Sequence, residues 1–201
     1  MKPVRLKIKG LNSYIEEQVI DFNRLTERGL FGIFGPTGSG KSTILDAIIL
    51  ALYGEIPRET KEFVNPEADS LYIYYEFSMK YGGERKNYVV ERTFKRTEEG
   101  IRKSKDARFY LKKDENEIEI IAESINLVTK EIEKTIGLKA ADFTRSVVLP
   151  QGKFSEFLRL TGAERRSMLE RIFGLEKYGR FLGEKIKKTR DKKREELLNI
   201  E

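Results

Sequence analysis

Eight consecutive residues, Gly35-Pro36-Thr37-Gly38-Ser39-Gly40-Lys41-Ser42, constrain this chain more than any other feature. They satisfy G-x-x-x-x-G-K-[ST], and the flanking pattern fits the motif. Leu30 to Phe34 reads as a short buried strand. After the loop, Ile44, Leu45, Ile48, Ile49 and Leu52 recur at helical spacing, predicting a helix over Lys41–Tyr53 that Gly54 stops. A glycine-rich turn merely preceding a helix is the bland alternative. In strand–loop–helix context the physics favours more: glycines let successive N–H groups point inward, and the helix start adds positive potential. An anion bearing several phosphates fits that cradle. Lys41 would then place its cation on the β- and γ-phosphates. The Ser42 hydroxyl could ligate Mg²⁺, and Thr43 could donate to the α-phosphate. A guanine-reading Asn/Thr-Lys-x-Asp motif is missing, since Thr60-Lys61-Glu62-Phe63 and Thr129-Lys130-Glu131-Ile132 both lack the Asp. ATP is therefore the expected nucleotide.

Composition narrows the chemistry. The 201 residues contain no Cys and no His, which excludes disulfides, thiolate metal sites, imidazole bases and triads. Net charge is +6, permitting a polyanionic partner without demanding one. Neither a signal-peptide core nor an apolar run of about 20 residues is present, so a cytoplasmic protein with no membrane partner is expected. Hydrolysis needs an Asp at the end of a buried strand and a Glu to polarise water. Here the candidates are weak: Glu76 after the apolar run LYIYYEF, in a strand expected to have one wet face, and the interrupted IEIIAE. An LSGG-type segment is also lacking. The chain is expected to bind a triphosphate without cleaving it alone.

Elsewhere, residues 4–8 alternate apolar and basic as a half-buried strand does, and Ile15 to Phe22 reads as a second strand. A connector with Pro57 and Pro66 leads into expected antiparallel hairpins: Leu71–Lys80, Lys86–Arg96, Ala107–Lys113 and Glu117–Ile121. Ser124 to Ile136 has helical spacing and ends at Gly137. Residues 147–154 read as a short apolar strand broken by proline and glycine. Thr161 and Glu164 form a capping box that opens another helix. From Leu175 onward, apolar residues at 175, 178, 182, 186 and 197 have roughly heptad spacing. Residues 184–196 hold seven basic and four acidic side chains. So little apolar surface cannot hold a helix down, so either it packs against a missing partner helix or the chain has been cut inside a coiled coil.

Four segments, "LNSYIEEQVIDF", "GLFGIFGPTGSGKSTILDAIILALYGEIPR", "FTRSVVLPQGKFSEFL" and "ERRSMLERIFGLEKYG", occur in an order that resembles the SbcC family. These are ATPase subunits of SbcCD nucleases, relatives of SMC-type DNA-repair ATPases. The resemblance runs from residue 2 to about residue 182. It implies an α/β fold with α+β character: an ABC-type P-loop ATPase half-head with an antiparallel β-hairpin lobe, a helical Q-loop region and the root of a coiled-coil helix. Residues 1–174 would be the N-terminal half-head and 175–201 the start of the coiled coil. By the same resemblance Gln151 sits in the Q-loop, where its amide oxygen reaches Mg²⁺ or the attacking water. Asn12 and Ser13 replace an Arg-Ser pair that related heads place beside the nucleotide. Val64 and Asn65 match a stretch bordering it.

The implied partners are the C-terminal half of the same head, a second SbcC-like head, an SbcD-like metallo-nuclease and DNA. For DNA, the expected hairpin carries a turn-centred basic cluster of Arg92, Lys95, Arg96, Arg102, Lys103, Lys105 and Arg108. A solvated turn is the competing reading. Two other functions stay open: a self-contained P-loop kinase or small NTPase with Glu76 as metal ligand, and a DNA-binding or coiled-coil scaffold with a vestigial ATP site.

Overall fold

A computed structural model describes residues 1–26, 29–56, 63–81, 83–96, 102–114, 117–148, 159–172, 175 and 180–198. The chain divides into two compact units, Met1–Thr144 and Arg145–Glu201.

The first unit is organised by one antiparallel sheet. Its strands are β1 (Lys2–Lys9), β2 (Gln18–Asp21), β3 (Ser70–Tyr81), β4 (Glu84–Arg96), β5 (Arg102–Lys112) and β6 (Ile118–Ala122), in the order β2-β1-β3-β4-β5-β6. The period-two alternation decides which face is buried. Leu71, Ile73, Tyr75 and Phe77 of β3 share one face with Tyr88, Val90 and Phe94 of β4 and Phe109 of β5, and all are buried. Along that face Tyr75, Phe77, Tyr88 and Phe109 stack in sequence, with centroids 5.5, 5.7 and 5.7 Å apart. Such aromatic pairs add to the burial energy and pin the register.

Two short segments attach the sheet's edge: α1 (Phe22–Leu25), capped by Asp21, whose carboxylate accepts from the Asn23 amide at 3.0 Å, and the turn following β1. Helix α2 (Lys41–Tyr53) packs on β3 and β4 and is buried almost all round, from Thr43 to Tyr53 with only Leu45 less covered. Helix α3 (Ile125–Ile136) lies on β5 and β6, anchored by the fully buried Val128 and Ile132. The sequence signals for its ends hold: Ser124 caps the start and Gly137 the end.

Two expected strands need correction, and one helix was not expected. Leu30–Phe34 is no strand. It runs exposed into the loop, with Leu30 86% and Phe34 92% accessible. A buried strand needs neighbours on its hydrogen-bonding edges, and the antiparallel sheet offers this segment none. Residues 147 and 148 are likewise outside any strand, while 149–154 lie outside the described residues. Helix α4 (Ala140–Ser146) has no counterpart among the expected elements; seven residues are too few to show a helical period, and burial of Phe143 against Tyr53 holds its first part.

In the second unit, α5 (Gly162–Ile172) opens with the expected capping box. The Thr161 amide donates to Glu164 Oε2 at 2.7 Å, and the Glu164 amide donates to Thr161 Oγ1 at 3.3 Å. Helix α6 (Arg180–Leu198) follows, and every described side chain along it is exposed.

Candidate nucleotide site

The glycine-rich loop sits between the exposed Leu30–Phe34 run and the first turn of α2. Lys41 organises its start. The ammonium donates to the carbonyls of Gly35 at 2.7 Å and Pro36 at 2.6 Å and approaches Ser39 Oγ at 3.4 Å. An ammonium has three donors, so the loop itself supplies partners for all of them. The Ser39 amide closes the turn onto the Pro36 carbonyl at 3.3 Å, with Thr37 and Gly38 at its tip.

At the loop's other end, Gly40 is the N-cap of α2, in the left-handed region (φ +83°), with no side chain capping the helix. Gly40 therefore supplies no side-chain acceptor to the first amides of α2. They face the loop with the positive end of the helix dipole behind them. Ser42 is exposed in this first turn and Thr43 is buried beneath it. The donor set fits a polyphosphate: a lysine within the loop, uncapped amides and an exposed hydroxyl. Ser42 is a hard oxygen of the kind Mg²⁺ takes. Among the described residues no group of three or more Asp or Glu side chains is spaced to hold a metal.

Asn12, Ser13, Val64 and Asn65, which the resemblance puts beside the nucleotide, belong to one hydrogen-bonded turn that reaches the loop. Asn12, itself left-handed at φ +46°, donates its amide to the Phe63 carbonyl at 2.8 Å, and the Asn65 side-chain amide donates to the Asn12 carbonyl. The Asn65 amide donates to the Gly10 carbonyl at 2.9 Å, and Val64 forms a bridge with Leu11. Val64 and Asn65 are buried. From this braced turn Ser13 Oγ donates to the Gly38 carbonyl at 3.2 Å. Sequence reasoning missed Tyr14, whose hydroxyl donates to the Gly40 carbonyl at 3.2 Å. Only its adjacency to Ser13 could have pointed to it. Gln151 lies outside the described residues.

The basic cluster is less unified than the sequence suggests. Arg92 leaves it altogether: it is 1% exposed and faces α2 and α3. Alternation along β4 turns it to the covered side, which a count of nearby basic residues cannot reveal. Arg108 is tied to Glu123 at 3.0 Å. Arg96 donates to the Pro66 carbonyl at 2.8 Å, and Lys95 is exposed. Arg102, Lys103 and Lys105 lie on β5, with Lys103 opposite Lys95 and Arg102 opposite Arg96 in the ladder. Glu76 also departs from the expectation of a wet strand face. It is 3% exposed in mid-strand, accepting from the Tyr74 hydroxyl at 3.0 Å and paired with Lys112 at 3.6 Å.

Comparison with known proteins now decides the family. The sequence profile of the AAA domain family matches residues 5–201. The chain belongs to that family, among its SbcC-like ATPases. This AAA domain is 52% identical to the SbcC component of nuclease SbcCD from Clostridium acetobutylicum over 196 residues, 97% of the chain. It is 50% identical to the SbcC component of the Bacillus subtilis nuclease over 191 residues, 94% of the chain. A protein of Aquifex aeolicus designated a probable DNA double-strand break repair Rad50 ATPase is 35% identical over 88% of the chain. The AAA domain spans only 17% of the length of each of these relatives. Its mixed α/β architecture with an antiparallel sheet agrees with an ABC-type half-head. No helix among the described residues is long and apolar enough to cross a membrane.

Proposed function

We propose that this chain is the ATP-binding N-terminal half of an SbcC-like head, with residues 1–174 forming the half-head and 175–201 beginning the coiled coil. One observation carries the reading. The apolar run Leu30–Phe34 leads straight into a complete phosphate loop, yet among the described residues it lies exposed without a strand neighbour. Exposed apolar runs of this kind mark missing partners. A C-terminal half of the same head would supply strands to either side of it, together with the carboxylates that this chain lacks.

In that head the chain's residues divide the work. Gly35, Pro36, Thr37, Gly38, Ser39 and Gly40 form the cradle, in which every residue except Pro36, whose ring nitrogen has no hydrogen, presents a backbone amide to the phosphates. Lys41 exchanges its loop carbonyls for β- and γ-phosphate oxygens, and Thr43 lies near the α-phosphate. Bound Mg²⁺ would neutralise phosphate charge, held by Ser42 and Gln151. Asn12, Ser13, Val64 and Asn65 border the site and keep the loop in shape. Catalytic roles fall to Lys41 and Gln151. A second head would close over the nucleotide, and closure would pull on the helix beginning at 175. That movement would control the double-strand exonuclease and single-strand endonuclease action of an SbcD-like metallo-nuclease in DNA repair and recombination in the cytoplasm. Lys95, Arg96, Arg102, Lys103, Lys105 and Arg108 are the candidate DNA contacts, by charge and by their placement on the β4–β5 hairpin.

A self-contained P-loop kinase or NTPase using Glu76 is the weaker reading, because that carboxylate is committed to Tyr74 and Lys112. Mixing the chain with a separately produced C-terminal half and measuring ATP turnover tests the choice. The split-head reading expects the mixture to exceed the summed activity of the parts; equal activity defeats it.

A further inference from the structure

The Tyr14 ring and the backbone of Gly40 are in close contact. Besides the hydroxyl-to-carbonyl bond of 3.2 Å, a β-carbon built on residue 40 would lie 2.9 Å from Tyr14 Cζ. We infer that Tyr14 is a positioning residue for the phosphate loop, a strut that fixes its last turn so that the first amides of α2 stay aimed at bound phosphate. The inference rests on the nucleotide-binding reading above.

The loop has two fastenings of different character. Its start is held by Lys41 through the Gly35 and Pro36 carbonyls, and that fastening must release when the ammonium turns to a phosphate. Its end is held from outside by Ser13 and Tyr14 through the Gly38 and Gly40 carbonyls, a fastening that does not involve the lysine. Gly40 gives α2 no side-chain cap, so the left-handed turn there gains from support outside the helix. The strut itself is firmly seated. The Tyr14 carbonyl accepts from the amides of Gly10 at 2.7 Å and Leu11 at 3.1 Å, and its own amide donates to the Leu11 carbonyl at 2.8 Å. Leu11 is fully buried at the end of β1. Burial also raises the Tyr14 pKa, so the hydroxyl stays a donor further into the alkaline range.

The alternative, a platform on which the base stacks, separates cleanly by ligand. Binding of ATP and of inorganic triphosphate would be measured with Mg²⁺ in the full-length protein carrying Tyr14→Phe or Tyr14→Ala. A strut predicts that Tyr14→Phe weakens both ligands by about 3–10-fold, the range for one neutral hydrogen bond. The ligand-free melting temperature should stay within about 2 °C of wild type, as expected when almost no stability is lost. Tyr14→Ala should weaken both ligands further. It should also soften the effect of Gly40→Ala, because the ring that opposes a β-carbon is gone. Either unchanged binding of both ligands to Tyr14→Phe, or a loss confined to ATP, overturns the inference while leaving the nucleotide site standing. Wild-type protein that binds neither ligand overturns the nucleotide site as well.

Discussion

Nε of Arg92, in the middle of β4, donates to the carbonyl oxygen of Ala51 in the last turn of α2 at 2.6 Å. Nη2 of the same guanidinium reaches the Leu52 carbonyl at 3.0 Å and Thr129 Oγ1 on α3 at 2.8 Å. One buried side chain thus ties the sheet to both helices. It also answers the orphan carbonyls and negative dipole end of α2. The helix is about 20 Å long by its 1.5 Å rise per residue. Sheet contacts therefore fix it at the end opposite the phosphate loop, and the Ser13–Tyr14 turn fixes the loop end.

Arg92→Ala is expected to destabilise the chain by about 2–4 kcal/mol, since it leaves two buried carbonyls unanswered. Removing a desolvated charge offsets part of that. Arg92→Lys should recover little, because a point charge cannot span Ala51, Leu52 and Thr129 together. Urea denaturation curves give the comparison. Gly54→Ala should also destabilise: the residue is left-handed at φ +75°, and a β-carbon would come within 3.2 Å of Arg92 Nη1.

Lys41 separates binding from folding. Its partners in the nucleotide-free chain are carbonyls of an exposed loop, so Lys41→Ala should change stability by less than about 0.5 kcal/mol. Nucleotide affinity should fall about 10–100-fold, the scale for a charge-assisted bond. Titration with a fluorescent ATP analogue, beside a melting curve, checks both. A large drop in melting temperature without nucleotide would show that the lysine is structural.

Alkaline stability has a sign that the structure fixes. Six tyrosines, Tyr14, Tyr53, Tyr72, Tyr74, Tyr75 and Tyr110, are held above their ordinary pKa of 10.0, in each case chiefly by burial. Nearby Glu133 and Asp142 add to this at Tyr53, Glu91 at Tyr72 and Tyr110, and Glu76 at Tyr74. A raised tyrosine favours the fold fully below pH 10, and that contribution is lost as pH rises further, because the unfolded chain ionises first. Arg92 acts oppositely. Burial lowers it to about 10, so the unfolded chain holds the proton longer and stability is gained as pH rises past that value. Six groups outweigh one. The chain should lose stability above about pH 10, with the buried phenols ionising together with unfolding when followed by ultraviolet absorbance. Independent titration of all the tyrosines near pH 10 in folded protein would contradict this.

How much of this the sequence disclosed depended on whether the cause was local. The loop, the α2 stop at Gly54, the α3 caps and the Thr161–Glu164 box are short-range chemistry, and each could be read directly. The hairpins followed from period-two alternation. What escaped was set by distant partners. Arg92 looked like its basic neighbours until its face of β4 was known. Tyr14 acquired a role only because the turn after β1 folds back on a loop 26 residues away. Asn12, Ser13, Val64 and Asn65 came from family resemblance, and no local signal joins residue 12 to residue 65.

Leu30–Phe34 is the instructive failure, and it yields the sharpest test. Its apolar run has the composition of a buried strand, but burial requires surface to pack against, and the described residues provide too little. Phe34 is 92% exposed, so Phe34→Ser removes almost no packing from the chain alone. Its stability should therefore stay within about 0.5 kcal/mol of wild type, as for other surface changes. If a second polypeptide segment covers that run, the same substitution should weaken the union of the two halves by at least about tenfold, since burying one phenyl ring is worth roughly 1.5–3 kcal/mol. Urea midpoints of the single chain and binding isotherms against the C-terminal half give the two numbers. A substitution that destabilises the isolated chain, or leaves assembly untouched, would mean that Phe34 finds its cover within these 201 residues.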